Sequence, residues 1–563
     1  MKTAARLAIG FMLAYLSNSA LAVSPEKIRL GNQLFVKNWS PKNPSLGGDG
    51  LGPLFNGTSC VACHHQGGIG GGGDARFNAN SLGIEHMKIA GGHVTDDVIK
   101  SAVSSIHPNF VSQSGQVQNT LVLHHHGGTA NLQRASGEIK SKLDTIFDTK
   151  GGSSESSEVR RAYSTPFLFN TNVGDYSVTA SLRLYQRNTT PLFGLGLIDQ
   201  IDGKTIEEQV RLQKSHPEIS GRPSTLRNGL YGKFGWRGNR HTLAAFVDQA
   251  LAAELGLETD RISQPFDATA ANYRNTSIDV QDGQVLAISD FLAALPAPTR
   301  EIPSDSKLRE SAARGEALFT KIGCAVCHVP NMGPAKGVYS DILLHDMGYA
   351  SMDLNGAMPY IVRATSINRS SVVASETRVT GTGRMTTGYY GQSSEMSIDT
   401  TQSSFRSGGT SKKSHPRYSG PEYEFKPATG PSVRIEVMEG NSERQIVQSS
   451  RAVNQALSFT GNLNLLQTDI VQHQQLIRLH YEDTKINQEW RTPPLWGVAD
   501  SAPYMHDGRA ETIFESISMH DGEASGTRDR FLTLPLADRH AILDFLNTLV
   551  APKGLPQFDP DRL

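Results

Sequence analysis

The sequence has few cysteines, no excess of charge of either sign, and no long apolar run. Its 563 residues include 4 cysteines, and the formal net charge is −1. Such a balance gives no indication of electrostatic binding to nucleic acid or to an anionic membrane surface. All four cysteines lie in two short motifs, so none remains for a structural disulfide. After the N-terminus, no stretch is long and apolar enough to predict a membrane-spanning helix.

Residues 1–22 have the pattern of a secretory signal peptide. Lys2 and Arg6 give a positive start, an apolar run follows from Leu7 to Leu16, and Ala20-Leu21-Ala22 is a small-residue cleavage site. The apolar run is too short to cross a bilayer, which favours export and cleavage after Ala22 over an uncleaved anchor. We therefore expect a periplasmic protein with no membrane span once the signal is removed.

The cysteines form two Cys-x-x-Cys-His motifs, Cys60-Val61-Ala62-Cys63-His64 and Cys324-Ala325-Val326-Cys327-His328. Covalent attachment of a c-type haem needs two thiols for the two vinyl groups, followed at once by a histidine for the iron. Zinc held by two Cys-x-x-Cys pairs is the competing interpretation, but the pairs lie 264 residues apart (324 minus 60). A redox Cys-x-x-Cys has no reason to be followed by histidine twice. The motifs thus predict two haem c groups, with His64 and His328 as iron ligands.

The segments around the two motifs resemble each other. Gly31-Asn32-Gln33-Leu34-Phe35 precedes the first motif and Gly315-Glu316-Ala317-Leu318-Phe319 the second. Asp290-Phe291-Leu292 and Asp544-Phe545-Leu546 lie in apolar helical stretches that end before a proline, which is a helix stop signal. The order helix, haem motif, long excursion, closing helix therefore occurs twice. This predicts a mainly α fold class with two tandem cytochrome c-like haem domains, over residues 23–300 and 301–563.

One segment, about 351–488, has no counterpart in the first half of the chain. Its first part is rich in Ser, Thr and Gly, so we expect long surface loops there. Its later part, 463–481, is polar and compatible with a helix. An insertion that the fold tolerates is favoured over a partner-binding element.

Five further segments resemble those of the bacterial di-haem oxidoreductase family, also labelled thiol oxidoreductases. They are Gly50–Asn56, Pro191–Leu197, Tyr339–Gly348, Arg491–Gly497 and His506–Ala510. That family is similar to the di-haem cytochrome c peroxidases and to related enzymes that oxidise tryptophans of a partner protein. The third of these segments ends at Gly348 and the fourth begins at Arg491, so about 140 residues separate them.

The resemblance implies one haem that meets hydrogen peroxide and one that relays electrons from a small cytochrome c or copper protein. It implies that the relay haem takes its sixth ligand fourteen residues after His506 (520 minus 506), at His520. Met519 is the alternative ligand, and a thioether would give the haem a higher potential than a second imidazole.

The internal duplication indicates that the first haem lacks this sixth ligand. When Leu243 is aligned with Ile513, Ala250 stands opposite His520, and alanine cannot bind iron. Glu254 follows in a Glu-Leu-Gly stretch that resembles the distal acid of the peroxidases. It could take a proton from one peroxide oxygen and return it to the other. The alternative is a solvated glutamate at a helix end.

The resemblance also implies a bridging residue and a calcium ion. Trp236 stands where the family has a tryptophan between its two haems, although a buried core tryptophan is an equal alternative. Asn188, Thr492 and Pro494 match the positions that supply oxygen ligands to calcium in the related enzymes.

Three functions remain open from the sequence. The first is a peroxidase, the second an enzyme that oxidises a specific protein or organic partner, and the third a pure electron carrier. The expected open site at Ala250 argues against the carrier. His124-His125-His126 could bind a metal, but a solvated loop is the favoured interpretation.

Overall fold

The computed structural model describes residues 24–42, 48–91, 94–148, 166–226, 229–270, 277–353, 361–367, 376–385, 394–398, 432–439, 476–482 and 487–562. The predicted signal peptide lies outside these residues. No helix within the described ranges has the length and apolar character needed to cross a bilayer.

The described helices are short to medium in length. They are α1 (Pro25–Phe35), α2 (Cys60–Cys63), α3 (Asp96–Ile106), α4 (Ala130–Asp148), α5 (Leu195–Asp199), α6 (Gly203–Gln213), α7 (Leu243–Leu255), α8 (Asp282–Ala294), α9 (Ser306–Lys321), α10 (Ile513–Ser518), α11 (Ser525–Thr533) and α12 (Leu536–Leu546).

The described strands range from two residues to thirteen. They are β1 (Leu54–Phe55), β2 (Ala79–Gly91), β3 (Thr120–Leu123), β4 (His126–Gly127), β5 (Phe167–Val173), β6 (Tyr176–Arg187), β7 (Ser224–Thr225), β8 (Tyr231–Gly232), β9 (Asn331–Met332), β10 (Ala335–Lys336), β11 (Leu344–Asp346), β12 (Ile361–Ile367), β13 (Glu376–Met385), β14 (Ser394–Ile398), β15 (Ser432–Glu439), β16 (Leu476–Glu482) and β17 (Glu489–Arg491).

Two packed helix pairs repeat the same contacts, α1 on α8 and α9 on α12. In the first pair, a Cβ placed on Gly31 would lie 1.9 Å from the carbonyl oxygen of Ala287. In the second, a Cβ on Gly315 would lie 1.8 Å from that of Ala541. Each glycine therefore lets the backbone of the partner helix approach more closely than any side chain would permit.

The aromatic contacts of the two pairs are also repeated. The rings of Phe35 and Phe291 are 5.3 Å apart in the first pair, and those of Phe319 and Phe545 are 5.4 Å apart in the second. Both pairs thus bury the glycine and the phenylalanine that bound the repeated segment before each Cys-x-x-Cys-His motif. The domain boundaries near residue 300 remain a prediction.

The chain also builds a nine-stranded sheet, which the sequence analysis did not predict. Its order is β14-β13-β12-β16-β15-β2-β6-β5, with β3 paired to β2, and only β15 and β2 run parallel. The face near α3 has its own core, which includes Leu82, Met87 and Ile89 of β2 with Val103 and Ile106 of α3. These residues form a layer separate from the two helix pairs.

Three expectations must be revised. The mainly α class is not confirmed, because long strands cover much of residues 79–187. The predicted loops of the insertion are strands wherever the structure describes them, at 361–367, 376–385, 394–398 and 432–439. The helix-compatible part contains the strand Leu476–Glu482. Ser- and Thr-rich segments fit a pleated surface as well as a loop, and pairing with distant strands decides between the two.

The close helix crossing gives a stability prediction. Gly315→Ala forces α9 and α12 apart, so we expect the free energy of unfolding to fall by about 1–3 kcal/mol, as for other overpacked sites. Gly283→Ala in α8 is the matched control, because a Cβ there meets no atom within 4 Å. Denaturant unfolding of both variants checks this. Equal unfolding midpoints for the two would contradict the packing argument.

Candidate functional site

One cavity of about 530 Å³ is lined by both Cys-x-x-Cys-His motifs. Cys60, Cys63 and His64 lie on its wall together with Cys324, Cys327 and His328. The cavity therefore draws on both halves of the chain. All four cysteines are free thiols, as attachment of two haem groups requires.

The first motif holds its histidine in a fixed orientation. The Ser59 hydroxyl accepts a hydrogen bond from the Ala62 amide and caps α2, which carries the two thiols. His64 Nδ1 lies 3.1 Å from the carbonyl oxygens of both Gly71 and Thr190. Burial lowers the pKa of His64 to about 4, so the ring is neutral near pH 7. Nδ1 donates to the carbonyls, and Nε2 is left for a metal.

The second motif is arranged in the same way. His328 Nδ1 lies 2.9 Å from the Tyr339 carbonyl oxygen, and burial lowers the pKa of this ring to about 4. The Phe319 ring lies 6.3 Å from that of His328, as Phe35 lies 6.4 Å from His64. The duplicated helices thus place the same aromatic ring beside each motif histidine.

The structure brings His520 across from His328. Their ring centroids are 6.4 Å apart, and His520 Nδ1 lies 2.7 Å from the Ser516 carbonyl oxygen. Imidazole nitrogens bind metals at about 2 Å, so a metal ion between two such rings separates their centres by roughly 6 Å. The spacing therefore fits one ion held by both Nε2 atoms. Met519 is half-buried and is not among the described residues that line the cavity.

The first site has no imidazole at the equivalent place on α7. Ala250 lines the cavity there, and Glu254 lies one turn further along the helix. Burial raises the pKa of the Glu254 carboxyl, and a hydrogen bond of 2.6 Å donated by Asn56 Nδ2 to Glu254 Oε2 opposes that rise. Glu254 is therefore a half-buried carboxyl in the cavity wall, in contrast to a solvated residue at a helix end.

The three consecutive histidines lie behind this wall and contact two of its residues, Asn56 and Ala253. The His125 amide donates to Asn56 Oδ1 at 3.1 Å, and His124 Nε2 lies 3.3 Å from the Ala253 carbonyl oxygen. Only His126 is exposed, and its ring stacks on Phe55. The expectation of a solvated loop is thus wrong for the first two histidines, because strand pairing of β4 with β1 draws the turn against the cavity.

Trp236 also lines the cavity, and it is half-buried. Its indole Nε1 donates to the Asn188 carbonyl oxygen at 3.0 Å, and its ring meets His506 edge-on at 6.4 Å. His506 in turn stacks on Trp490 at 3.7 Å. The three rings form a continuous aromatic column beside the cavity.

The three residues proposed for calcium line the same cavity. Asn188 Oδ1 is buried and accepts no hydrogen bond from the described residues, while its Nδ2 donates to Pro503 O at 2.6 Å. The Thr492 carbonyl oxygen already accepts two hydrogen bonds, one of 2.7 Å from the Ser340 hydroxyl and one of 3.4 Å from Arg491 Nη1. An oxygen without a partner suits a hard cation, so Asn188 fits the proposed ligand role.

A buried charge cluster beside the second motif was not predicted. His345 lies between two carboxylates, 2.9 Å from Asp341 Oδ2 and 2.9 Å from Glu523 Oε2. Burial opposes a charge on His345, but Asp341 raises the pKa of the ring well above its usual value. Cys327 completes the one group of metal-binding side chains found among the described residues. Because the Cys-x-x-Cys-His motif predicts that Cys327 attaches haem, we assign this cluster a structural role and not that of a separate metal site.

The residues present fit two haem groups. The thiols are free, both motif histidines line one cavity, and His520 would offer a second imidazole opposite His328. Sequence reasoning missed Asn56 as a partner of Glu254, although it closes the Gly50–Asn56 motif just before the first cysteine. It also missed Glu523, for which the sequence offers no signal, since His345 and Glu523 stand 178 residues apart.

Comparison with known families supports this assignment. Residues 477–549 match the family described as "Di-haem oxidoreductase, putative peroxidase". The matched segment contains two of the motifs on which the resemblance depends, and also His520. The resemblance to this family is therefore confirmed over that segment, and it supports an oxidoreductase with haem as its cofactor.

Two solved structures are similar in part. One, described as "Kuenenia stuttgartiensis Hydrazine Synthase Pressurized with 20 bar Xenon", is 14% identical, with 65% of this chain and 73% of that chain covered and a TM-score of 0.26. The other, described as "Crystal structure of a MauG-like protein associated with microbial copper homeostasis", is 15% identical, with 60% and 74% covered and a TM-score of 0.23. At these TM-scores neither likeness carries an argument. No curated protein matches the sequence.

The charge cluster gives a pH-dependent prediction. Burial opposes ionisation of Glu523, yet the hydrogen bond from His345 lowers its pKa below the usual value. Its contribution to stability is therefore present above pH 4.5 and is lost as the pH falls through the lowered pKa. Glu523→Gln should reduce the free energy of unfolding by about 3 kcal/mol near pH 6, as when a buried ion pair loses one partner.

Denaturant unfolding of parent and variant between pH 3 and 7 measures this difference. It should shrink toward zero at the acidic end, where the parent's carboxyl is protonated as well. Glu218→Gln, at an exposed glutamate, is the control and should show no such trend. A difference independent of pH would mean that Glu523 acts by packing alone.

Proposed function

We propose that this chain is an exported, periplasmic di-haem c-type oxidoreductase that reduces hydrogen peroxide. The observation that carries the proposal is the asymmetry of the cavity. At the second motif two imidazoles face each other at the spacing of one metal ion. At the first motif the equivalent helix presents Ala250 and the half-buried carboxyl of Glu254. One saturated and one open iron are what a relay haem and a peroxide-binding haem require.

Each haem c would be held by the two thiols and the histidine of its motif. The bound haems would supply the iron that binds peroxide and the redox capacity to deliver two electrons to it. Reduction of one hydrogen peroxide by two electrons and two protons gives two waters. The chain has to deliver the protons and to keep the second iron closed to peroxide.

His520 would keep the second iron closed to peroxide. Its Nδ1 is bound to the Ser516 carbonyl, which fixes the ring with Nε2 toward His328. Burial lowers the pKa of His520, which favours the neutral form that binds a metal. His328 and His520 would together hold the second haem, which would then be suited to relaying electrons toward the N-terminal haem.

Glu254 would carry the proton during cleavage of peroxide. As a carboxylate it accepts the proton from one peroxide oxygen, and it returns that proton to the other oxygen as the O–O bond breaks. Because this proton only moves from one peroxide oxygen to the other, both protons consumed in the overall reduction come from solvent. A half-buried carboxyl with a raised pKa is suited to both steps, because general acid–base groups work best when their pKa lies near the working pH.

Trp236 lines the cavity that holds both motifs, and we assign it the electron relay between them. A small cytochrome c or a copper protein would supply the electrons. A calcium ion bound by Asn188, Thr492 and Pro494 would hold this junction together. The buried, unpartnered Oδ1 of Asn188 supports the last assignment.

The second candidate function is oxidation of a specific protein or organic partner by the same haems. The column of Trp236, His506 and Trp490 favours it, because neighbouring aromatic rings beside the cavity, one pair edge-on and one pair stacked, offer a path for oxidising equivalents. A pure electron carrier is disfavoured by Ala250. Steady-state peroxide turnover with a reduced small cytochrome separates the first two candidates, and negligible turnover would favour partner oxidation.

The assignment of the sixth ligand gives a spectroscopic prediction. His520→Ala should convert the second haem to the high-spin form and leave the first unchanged, because it removes one of the two imidazoles. Electron paramagnetic resonance and resonance Raman spectra of the di-haem protein measure the change. His540→Ala, at an exposed histidine of the same half, is the control. If the spectrum of the His520 variant equals the parent's, the ligand is Met519 or another residue.

The proton-carrier role of Glu254 gives a kinetic prediction. Glu254→Gln keeps the size and the hydrogen-bonding capacity of the side chain but cannot carry a proton. We expect the rate of reaction with peroxide to fall at least about tenfold, since positioned acid–base groups contribute on the order of 10² to 10⁴. Stopped-flow mixing with hydrogen peroxide measures it.

The matched control is Glu310→Gln, at an exposed glutamate of α9. It should react at the parental rate. Both variants should bind two haems with an unaltered resting spectrum, so that any loss is kinetic. Parental reactivity of the Glu254 variant would remove this residue from the mechanism and would weaken the choice of the first haem as the peroxide site.

A further inference from the structure

We propose that Asn56 is a positioning residue for Glu254, and that the turn of three histidines holds Asn56 in its working orientation. The inference rests on the proposed function, in which Glu254 carries a proton. It adds two elements to that function. The Asn56 amide controls the protonation of the Glu254 carboxyl, and the histidine turn controls the orientation of the Asn56 amide.

The orientation of the Asn56 amide is fixed at both ends. A side-chain amide has one acceptor end and one donor end. The acceptor, Oδ1, takes the His125 amide hydrogen at 3.1 Å, so the donor, Nδ2, faces Glu254 Oε2 at 2.6 Å. A flipped amide would set oxygen against carboxylate and NH₂ against N–H, which loses both hydrogen bonds. The observed orientation is therefore the only one of the two that satisfies the neighbours.

The backbone around Asn56 is held from two sides. On one side, the amides of Asn56 and Gly57 donate to the Glu254 carbonyl oxygen at 2.7 and 3.2 Å. On the other, β1 pairs with β4, so that Leu54 opposes Gly127 and Phe55 opposes His126. The segment 54–57 thus lies between the end of α7 and the histidine turn. Neither contact involves the haem motif itself.

The histidine turn also reaches α7 directly. His124 Nε2 lies 3.3 Å from the Ala253 carbonyl oxygen, next to Glu254. The turn therefore touches both residues of the Asn56–Glu254 pair, one through the His125 backbone and one through the His124 ring. The turn thus fixes the positions of Asn56 and Glu254 without adding a charge. Burial lowers the pKa of both His124 and His125, so both rings are neutral near pH 7.

The charge on Glu254 follows from these contacts. The titratable group that interacts with it is the Cys63 thiol from α2, which offers no positive charge. Burial raises the pKa of Glu254, and Asn56 is the one partner that opposes this. Without the Nδ2 hydrogen bond the carboxyl would stay protonated to a higher pH and could not accept a proton from peroxide.

Asn56→Asp in the di-haem protein tests the inference. The substitution keeps size and shape and retains the acceptor for the His125 amide, but it places an oxygen where Nδ2 donated. The midpoint for protonation of the Glu254 carboxyl should rise by about one pH unit or more, which is the effect of one hydrogen bond to a charged group. Infrared spectroscopy follows the carboxyl band, assigned in each background by its loss when Glu254→Gln is added.

The pH profile of the peroxide reaction is the second readout. Its acidic limb should move to higher pH together with the infrared midpoint, whereas a merely structural role would lower the rate at every pH. Asn131→Asp makes the same change at an exposed asparagine of α4 and should shift neither readout. Asn56→Ser, which is smaller and uncharged, should move both in the same direction and serves if the first variant fails to take up haem.

Unchanged midpoints in the Asn56 variants would overturn the inference. This outcome is distinct from failure of the proposed function. If Glu254→Gln reacts with peroxide at the parental rate, Glu254 is not the proton carrier, yet the infrared midpoint still decides whether Asn56 sets its charge. If Glu254→Gln is slow and the midpoints do not move, the carrier stands and the positioning role of Asn56 falls.

Discussion

Two buried imidazoles, those of His64 and His328, have to reach one cavity with Nε2 free, and much of the chain is arranged around that need. A buried ring nitrogen without a partner is costly, so each Nδ1 needs a carbonyl. Gly71 and Thr190 supply it for the first ring, and Tyr339 for the second. Thr190 lies 126 residues from His64 in the chain. The long excursion must therefore fold back onto the motif before the histidine can serve as a ligand.

The duplicated scaffold supplies two equal frames, and a few side chains make them unequal. Gly31 and Gly315 set the same helix crossing, and the phenylalanine one turn further on lies beside each motif histidine. The difference arises on the helix that covers the other side of each site. There α7 carries an alanine and then a glutamate, whereas α10 is followed by His520. An asymmetric pair of sites thus costs the fold almost nothing, because it changes side chains on elements whose backbone is already fixed.

Much of the site could be predicted from the sequence, because its signals are local. Five residues define each haem motif, helical spacing places Gly315 and Phe319 on one face, and a count of residues leads to His520. The sheet could not be predicted, because it depends on pairing between distant segments, as when β15 at 432–439 runs beside β2 at 79–91. The same non-local pairing explains the wrong expectation for His124. Nothing near it in sequence shows that β1 will bind the turn.

The sheet is more than an addition to the haem scaffold, because the turn that follows β3 contacts Asn56 and Ala253 in the wall of the first site. A carboxyl that must exchange protons with a small substrate gains from partners that are already in place, since ordering them during the reaction would cost free energy. The β3–β4 turn belongs to a layer with its own apolar core, built from residues such as Leu82 and Ile89. That core supports the turn, the turn fixes Asn56 through the His125 amide, and Asn56 donates a hydrogen bond to Glu254. The rigidity needed at the open site thus comes from a part of the chain that contains no haem motif.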